Sequence, residues 1–219
     1  MNRLLELPIE KYTGRFNVYK IPQHLFEALE KGILQAIQSD SFRISSTDEV
    51  LKRENDQSTE WHKKYYANFH DSVELPWTRF VEWFRCIAGE PIVYQALPTF
   101  RVHGINNVGV GEFHFDSDYG HSAWEENIWI PFTGAWGTNG VWVESEPGKG
   151  DYHPVEVPRG YFLHFNGAEL KHGNYLNDTG TVRVSFDARI APLRKYKDNQ
   201  TMSINGIKKF VIGDYFKEI

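Results

Sequence analysis

The chain of 219 residues carries one cysteine, Cys86, so no internal disulfide can form and a reducing compartment is expected. Nowhere do eighteen apolar residues run together, which argues against a membrane-spanning helix. The opening stretch MNRLLELPIEKYTGRF lacks the uninterrupted apolar core of a signal peptide. The expectation is a soluble, cytoplasmic protein. Positive charge is short as well: 24 Lys and Arg stand against 29 Asp and Glu, a net charge near −5. Without a broad basic field the chain is not built to attract nucleic acid, and a small-molecule substrate is the expected partner. Internal repeats and low-complexity tracts are missing too, and no feature of the sequence bears on oligomeric state.

Aromatic side chains are plentiful. Seven Trp, fifteen Phe and eleven Tyr provide large apolar volume for a core or a lined pocket. The length suits a single domain over residues 1–219. Residues 22–38, PQHLFEALEKGILQAIQ, place Leu25, Leu29, Ile33 and Ile37 at steps of four behind a proline, the stripe of an amphipathic helix. In LPWTRFVEWFRCIAG, Pro76 marks a second helix start, Trp77, Val81, Phe84 and Ala88 share a face, and Gly89 ends it. Cys86, in this helix, reads as a small core residue. Between the helices, residues 39–72 are polar with no clear period, so this stretch is expected to be a lid or substrate-selecting loop. Together residues 22–90 form a helical flank.

From Pro91 the texture changes to short segments of strand type, interrupted every eight to twelve residues by Gly, Asn, Asp or Pro. They are IVYQALPTFRVHG, NVGVGEFHF, ENIWIPFT, GVWVES, HPVEV, GYFLHF, LKHGNYL and TVRVSFDARI. About eight such strands predict a mainly β fold with flanking helices, a jelly roll occupying residues 91–192. Asn205-Gly206 predicts a last hairpin turn within a tail at 193–219.

In an extended strand, residues two apart face one way, so His114 and Asp116 should project together from the end of NVGVGEFHF. An imidazole and a carboxylate so placed can share a metal ion, and His172 in ELKHGNYLNDTG is the preferred third ligand. His164 in GYFLHFNG is the alternative, less favoured because Phe162, Leu163 and Phe165 mark a packed strand. His62, His103, His121 and His153 read as surface or hydrogen-bonded residues. Two His and one carboxylate make a facial triad with open positions, the geometry of non-haem Fe(II) oxygenases.

In TVRVSFDARI, Val182, Val184, Phe186, Ala188 and Ile190 share one face, and Arg183, Ser185, Asp187 and Arg189 share the other. Arg183 follows His172 by eleven residues, room for a strand end, a turn at Asn177-Asp178-Thr179-Gly180 and the start of an antiparallel neighbour. A guanidinium facing the barrel interior needs an anion, and its planar fork matches a carboxylate, to which the Ser185 hydroxyl adds a hydrogen bond.

His114-x-Asp116, His172 and Arg183-x-Ser185, in this order and spacing, resemble the Fe(II)/2-oxoglutarate-dependent oxygenases of the double-stranded β-helix, or cupin-like, fold. Within them, the run over residues 97–192 is similar to the StrG-like group of streptomycin biosynthesis, a relative of the phytanoyl-CoA dioxygenase type. The resemblance implies that His114, Asp116 and His172 bind Fe(II) and that Arg183 with Ser185 holds the distal carboxylate of 2-oxoglutarate. It further implies O2 as a second cosubstrate and hydroxylation of a small metabolite or natural-product intermediate of amino sugar, cyclitol or amino acid type. Related halogenases carry a small residue at the position of Asp116, so its carboxylate argues against halogenation.

Other residues are secondary candidates. Asn127 could bond the cosubstrate, with an edge Asn as the plain alternative, and Trp129 beside it would face the pocket or the core. Arg101 in PTFRVHG reads as a surface salt-bridge former or, if it reaches the pocket, a binder of an anionic group. Trp142 and Glu144 could line a substrate chamber, though a core place suits Trp142 better. Asp118 and Tyr119 could steady His114 or shape the mouth. Gly109 and Gly111 would let the backbone bend just before the metal ligands. Two rival functions remain: a cupin-like sugar-binding or isomerase protein without redox chemistry, and a protein-modifying hydroxylase.

Overall fold

The computed structural model describes residues 9–10, 15–43, 58–109, 111–203 and 206–219. The strands are β1 (Ile9–Glu10), β2 (Phe16–Lys20), β3 (Ile92–Gln95), β4 (Thr99–His103), β5 (Glu126–Pro131), β6 (Val141–Val143), β7 (His153–Val155), β8 (Tyr161–Phe165), β9 (His172–Gly173), β10 (Arg183–Pro192), β11 (Asn199–Met202), β12 (Lys209–Phe210) and β13 (Phe216–Glu218). The helices are α1 (Gln23–Ile37), α2 (Glu60–Ser72) and α3 (Glu74–Ala88).

Two antiparallel sheets carry the site. The larger runs β1-β2-β8-β5-β10-β3-β13, with β4 also on β10, and the smaller runs β7-β6-β9. At ten residues, β10 is long enough to pair along its first half with β4 and along its last three residues with β3, while β5 covers its other edge. This is the jelly roll expected, mainly β with helices to one side. Alternation along β10 holds: Val184, Phe186, Ala188 and Ile190 enter the apolar layer beneath the helices, and Arg183, Ser185, Asp187 and Arg189 turn the other way. A second apolar cluster, including Val18, Val143, Val155, Leu163 and Phe165, packs against Trp129 and fills part of the space between the sheets.

α1 buries its predicted stripe of Leu25, Leu29, Ile33 and Ile37. Gly32 brings it close to the next helix, since a Cβ there would stand 2.5 Å from the Ser72 carbonyl oxygen. α3 buries Trp77, Phe80, Val81 and Phe84 and ends at Gly89 in the left-handed conformation. Cys86, expected in the core, lies on the exposed face of α3. The expected loop over 39–72 is corrected in its latter part. Residues from Glu60 form α2, which buries His62, Tyr65 and Phe69 at helical spacing and stacks Tyr65 on Phe100; residues 44–57 lie outside the described residues. The C-terminal hairpin forms as β11 and β12, with Asn205 of its expected turn outside the described residues. Among the described residues no helix is long and apolar enough to cross a membrane.

Candidate metal centre

The segment from Gly111 to Phe115 is not the strand its alternation predicts. It makes one isolated backbone pairing, His114 with His172, and then turns at Phe115 into a short 3-10 helix, Asp116–Tyr119. Asp118 fixes that turn by accepting a hydrogen bond from the Phe115 backbone N–H at 2.9 Å. Glycine makes the approach possible. Gly111 has φ of 64°, and a Cβ on Gly173 would meet the Phe113 backbone at 3.0 Å. His114 and Asp116 thus converge through a bridge and a turn rather than through strand periodicity.

Nor are His172 and Arg183 on neighbouring strands. β9 pairs with β6 in the small sheet and β10 lies in the large one. The connection crosses between sheets and is tied down by buried Asn177, whose amide donates to the carbonyls of His103, Gly104 and Thr181. Both side chains still face one cavity, of about 990 Å³.

One atom from each of His114, Asp116 and His172 lies within 4.8 Å of the others. Nδ1 of His114 faces the Glu112 carbonyl at 2.8 Å, and Nδ1 of His172 faces the Leu170 carbonyl at 3.0 Å. Donation through Nδ1–H leaves each Nε2 with its lone pair directed inward, 3.6 and 3.7 Å from Asp116 Oδ1. Burial lowers the pKa of His172, keeping it neutral and able to ligate.

The Asp116 carboxylate is held on every side. Asn127 Nδ2 donates to Oδ2 at 2.8 Å, Arg189 Nη2 donates to Oδ1 at 2.9 Å, and the Asp116 N–H donates to the Gly167 carbonyl at 2.8 Å. Burial alone would raise this carboxyl, but the Arg189 guanidinium, with His114 and His172, holds it well below the usual range. Arg189 is balanced in turn by Asp187, 2.7 Å away. Gly167 leaves the space: a Cβ there would lie 2.5 Å from Asp116 Oδ2. Two imidazoles presenting Nε2 and one carboxylate form the donor set of a facial triad, so these residues fit a divalent metal.

Arg183 is buried in the cavity wall, its guanidinium 5.1 Å from the Trp129 ring centre and Nη1 donating to the Asn139 carbonyl at 3.1 Å. Ser185 Oγ, one pleat along, is buried and has no hydrogen-bond partner among the described residues. A carboxylate reaching Arg183 would supply one.

The remaining candidates separate clearly. Trp129, Tyr119 and Arg101 line the cavity, with the Tyr119 ring 4.9 Å from that of His114. Among the described residues Arg101 makes no salt bridge. Asn127 spends its amide on Asp116 and on the Gly167 N–H rather than leaving it for a cosubstrate. Trp142 lies outside the cavity lining, edge-on to Tyr175, with its indole N–H on the Gly137 carbonyl. Glu144 is buried and accepts from the Lys171 N–H at 2.7 Å, anchoring the chain beside His172. His164 is engaged with Glu126 at 2.7 Å and His121 with Glu125 at 2.6 Å, and neither joins the cluster. Sequence reasoning missed Arg189, Gly167 and the positioning role of Asn127.

The chain is 37% identical over 210 residues to the streptomycin biosynthesis protein StrG of Streptomyces griseus, an alignment covering 95% of this chain and 99% of that protein. No protein-family model matches. Among solved structures, EvdMO1 is similar with 16% identity and a TM-score of 0.47, covering 82% of this chain and 47% of that one. The nickel complex of the non-haem monooxygenase ThoJ has 14% identity and a TM-score of 0.45, covering 79% and 71%.

Proposed function

This chain belongs to the family of the streptomycin biosynthesis protein StrG, and from that premise we propose that it is a non-haem Fe(II)- and 2-oxoglutarate-dependent dioxygenase that hydroxylates a small metabolite or natural-product intermediate. The observation that carries the reading is the meeting of two features in one cavity: the His114, Asp116 and His172 cluster, and the buried Arg183 in its wall. The unpartnered Ser185 hydroxyl lies one pleat along from Arg183.

Bound iron would supply O2 activation, driven by oxidative decarboxylation of 2-oxoglutarate to succinate and CO2, for oxidation of a C–H bond. The protein's part is placement and exclusion of water. His114 and His172 present Nε2, and Asp116 presents Oδ1, with Arg189 and Asn127 fixing the carboxylate's rotation. Arg183 and Ser185 hold the distal carboxylate of the cosubstrate while Trp129 supports the guanidinium face. Phe165 and Val141 close the apolar side of the chamber.

A non-redox isomerase on the same barrel has no need of a buried guanidinium in the wall of the cavity that holds the metal cluster. A protein-modifying hydroxylase needs a groove for an extended chain, whereas Lys208 and Phe210 of the C-terminal hairpin segment help wall this chamber. An amino sugar, cyclitol or amino acid suits it better. The test is to screen such metabolites for stimulation of succinate formation by the Fe(II)-loaded protein. A stimulating compound recovered with one added oxygen supports the reading; stimulation by peptides alone would favour the protein hydroxylase.

A further inference from the structure

Most charged side chains of the cavity have an assigned partner. Arg189 lies between Asp116 and Asp187, His121 is on Glu125, and Lys208 donates to the Asp214 carbonyl at 3.0 Å. Arg101 differs. Its half-buried guanidinium lines the cavity yet donates no hydrogen bond and has no carboxylate within ion-pair distance among the described residues.

Its surroundings look like one end of a binding chamber. Arg101 is the cross-strand neighbour of Ser185, and Thr99, one pleat away, lies opposite Asp187. The cation is close enough to α2 to act electrostatically on His62 and Tyr66, and Tyr66, Leu97 and Thr99 line the cavity beside it. Tyr66 is 41% exposed and offers a phenol hydroxyl that can donate. Along β10, Ser185 and Arg189 are four residues apart, about 13 Å in an extended strand. Arg189 touches Asp116. The span from Arg101 to the metal ligands is therefore on the scale of one small molecule.

The acid on the facing strand, Asp187, interacts electrostatically with Arg101 but is ion-paired to Arg189 at 2.7 Å, so among the described residues Arg101 has no carboxylate of its own at contact distance.

We propose that Arg101, with Tyr66 and Thr99, binds an anionic group of the primary substrate, a phosphate or a carboxylate, and so sets which end of the molecule faces the metal centre. This rests on the proposed function, which assigns the other inward guanidinium, Arg183, to 2-oxoglutarate.

The test uses the full chain loaded with Mn(II) and 2-oxoglutarate, titrated calorimetrically with inorganic phosphate and, separately, acetate. At least one anion binds wild type, and Arg101→Ala weakens it roughly 10-fold or more, the loss of a charged hydrogen bond, while Arg101→Lys recovers part of the affinity. Binding of phosphate but not acetate identifies a phosphorylated substrate; the reverse identifies a carboxylate. Equal binding by wild type and Arg101→Ala, or no binding of either anion to wild type, overturns the inference. If Arg101→Ala loses 2-oxoglutarate as far as Arg183→Ala does, Arg101 serves the cosubstrate: the inference fails and the proposed function stands. Failure of the wild-type Mn(II) protein to take up 2-oxoglutarate would instead overturn the proposed function and with it this inference.

Discussion

Gly167→Ala adds a single methyl group at a crowded point of the His114, Asp116 and His172 cluster. The new Cβ would stand 2.5 Å from Asp116 Oδ2, 2.8 Å from Asn127 Oδ1 and 2.9 Å from His172 Cε1. Reaching ordinary contact requires shifts of roughly 0.5 to 0.9 Å in these groups. The backbone cannot retreat freely, because the Gly167 N–H donates to Asn127 at 3.0 Å and its carbonyl accepts from the Asp116 N–H at 2.8 Å. Two of the three crowded side chains belong to the His114, Asp116 and His172 cluster and the third orients one of them, so the strain falls on the cluster itself. Overpacking of this kind costs about 1–3 kcal/mol of stability, and disturbing the groups that orient metal ligands lowers affinity about 10- to 100-fold. Urea unfolding of the metal-free protein reads the first, and competitive metal titration of the folded protein reads the second. Stability within about 0.5 kcal/mol of wild type, the ordinary scatter of neutral substitutions, together with unchanged metal affinity would refute the geometry. Lost stability with unchanged affinity would show that Asp116 is not a ligand in this position.

Arg183→Ala should weaken 2-oxoglutarate by about 3–5 kcal/mol, the cost of leaving a buried charge without its partner, and change metal affinity much less; calorimetric titration of each checks this. His172→Ala should abolish metal uptake while His164→Ala preserves it, since His164 is committed to Glu126; metal content after gel filtration decides, and the opposite result would exchange the two assignments. Burial and the Arg101 charge push His62 down to about 4, and burial and the Arg183 charge push His103 down to about 3. A histidine whose folded pKa lies below its unfolded value favours the unfolded chain once protonated. Its contribution is therefore whole above about pH 6.5 and is lost as pH falls toward the folded value, about 2 kcal/mol for each residue between pH 7 and 5. His62→Phe should flatten this acid limb in urea unfolding at the two pH values, and an unchanged slope would count against a buried neutral His62.

The helices α1 and α3 were legible because their apolar residues recur at helical spacing and a proline or glycine marks an end. α2 was not, because one position of its buried stripe is His62 and two neighbours are lysines, which disguise the period of Tyr65 and Phe69 as a polar stretch. That His114, Asp116 and His172 come together could be anticipated from residue type and order, since His-x-Asp followed by a distant His is the donor set of a metal site. Their local geometry could not. Alternation suggested a strand through Asp116, whereas Gly111, Gly173 and the Asp118 cap bend that segment into a bridge and a turn. The support of Asp116 was hidden for a different reason: Arg189 lies 73 residues away in sequence and on another strand, and Gly167 acts by having no side chain. Contacts across sheets carry no periodic signal.

Anaerobic protein given one equivalent of Fe(II) and excess 2-oxoglutarate, then exposed to O2, tests the central claim most directly when succinate is measured against time. Wild type should form succinate, slowly without primary substrate, and Asp116→Ala and Arg183→Ala should form little or none. Absence of succinate from iron-loaded wild type, with no detectable 2-oxoglutarate binding, would contradict the account.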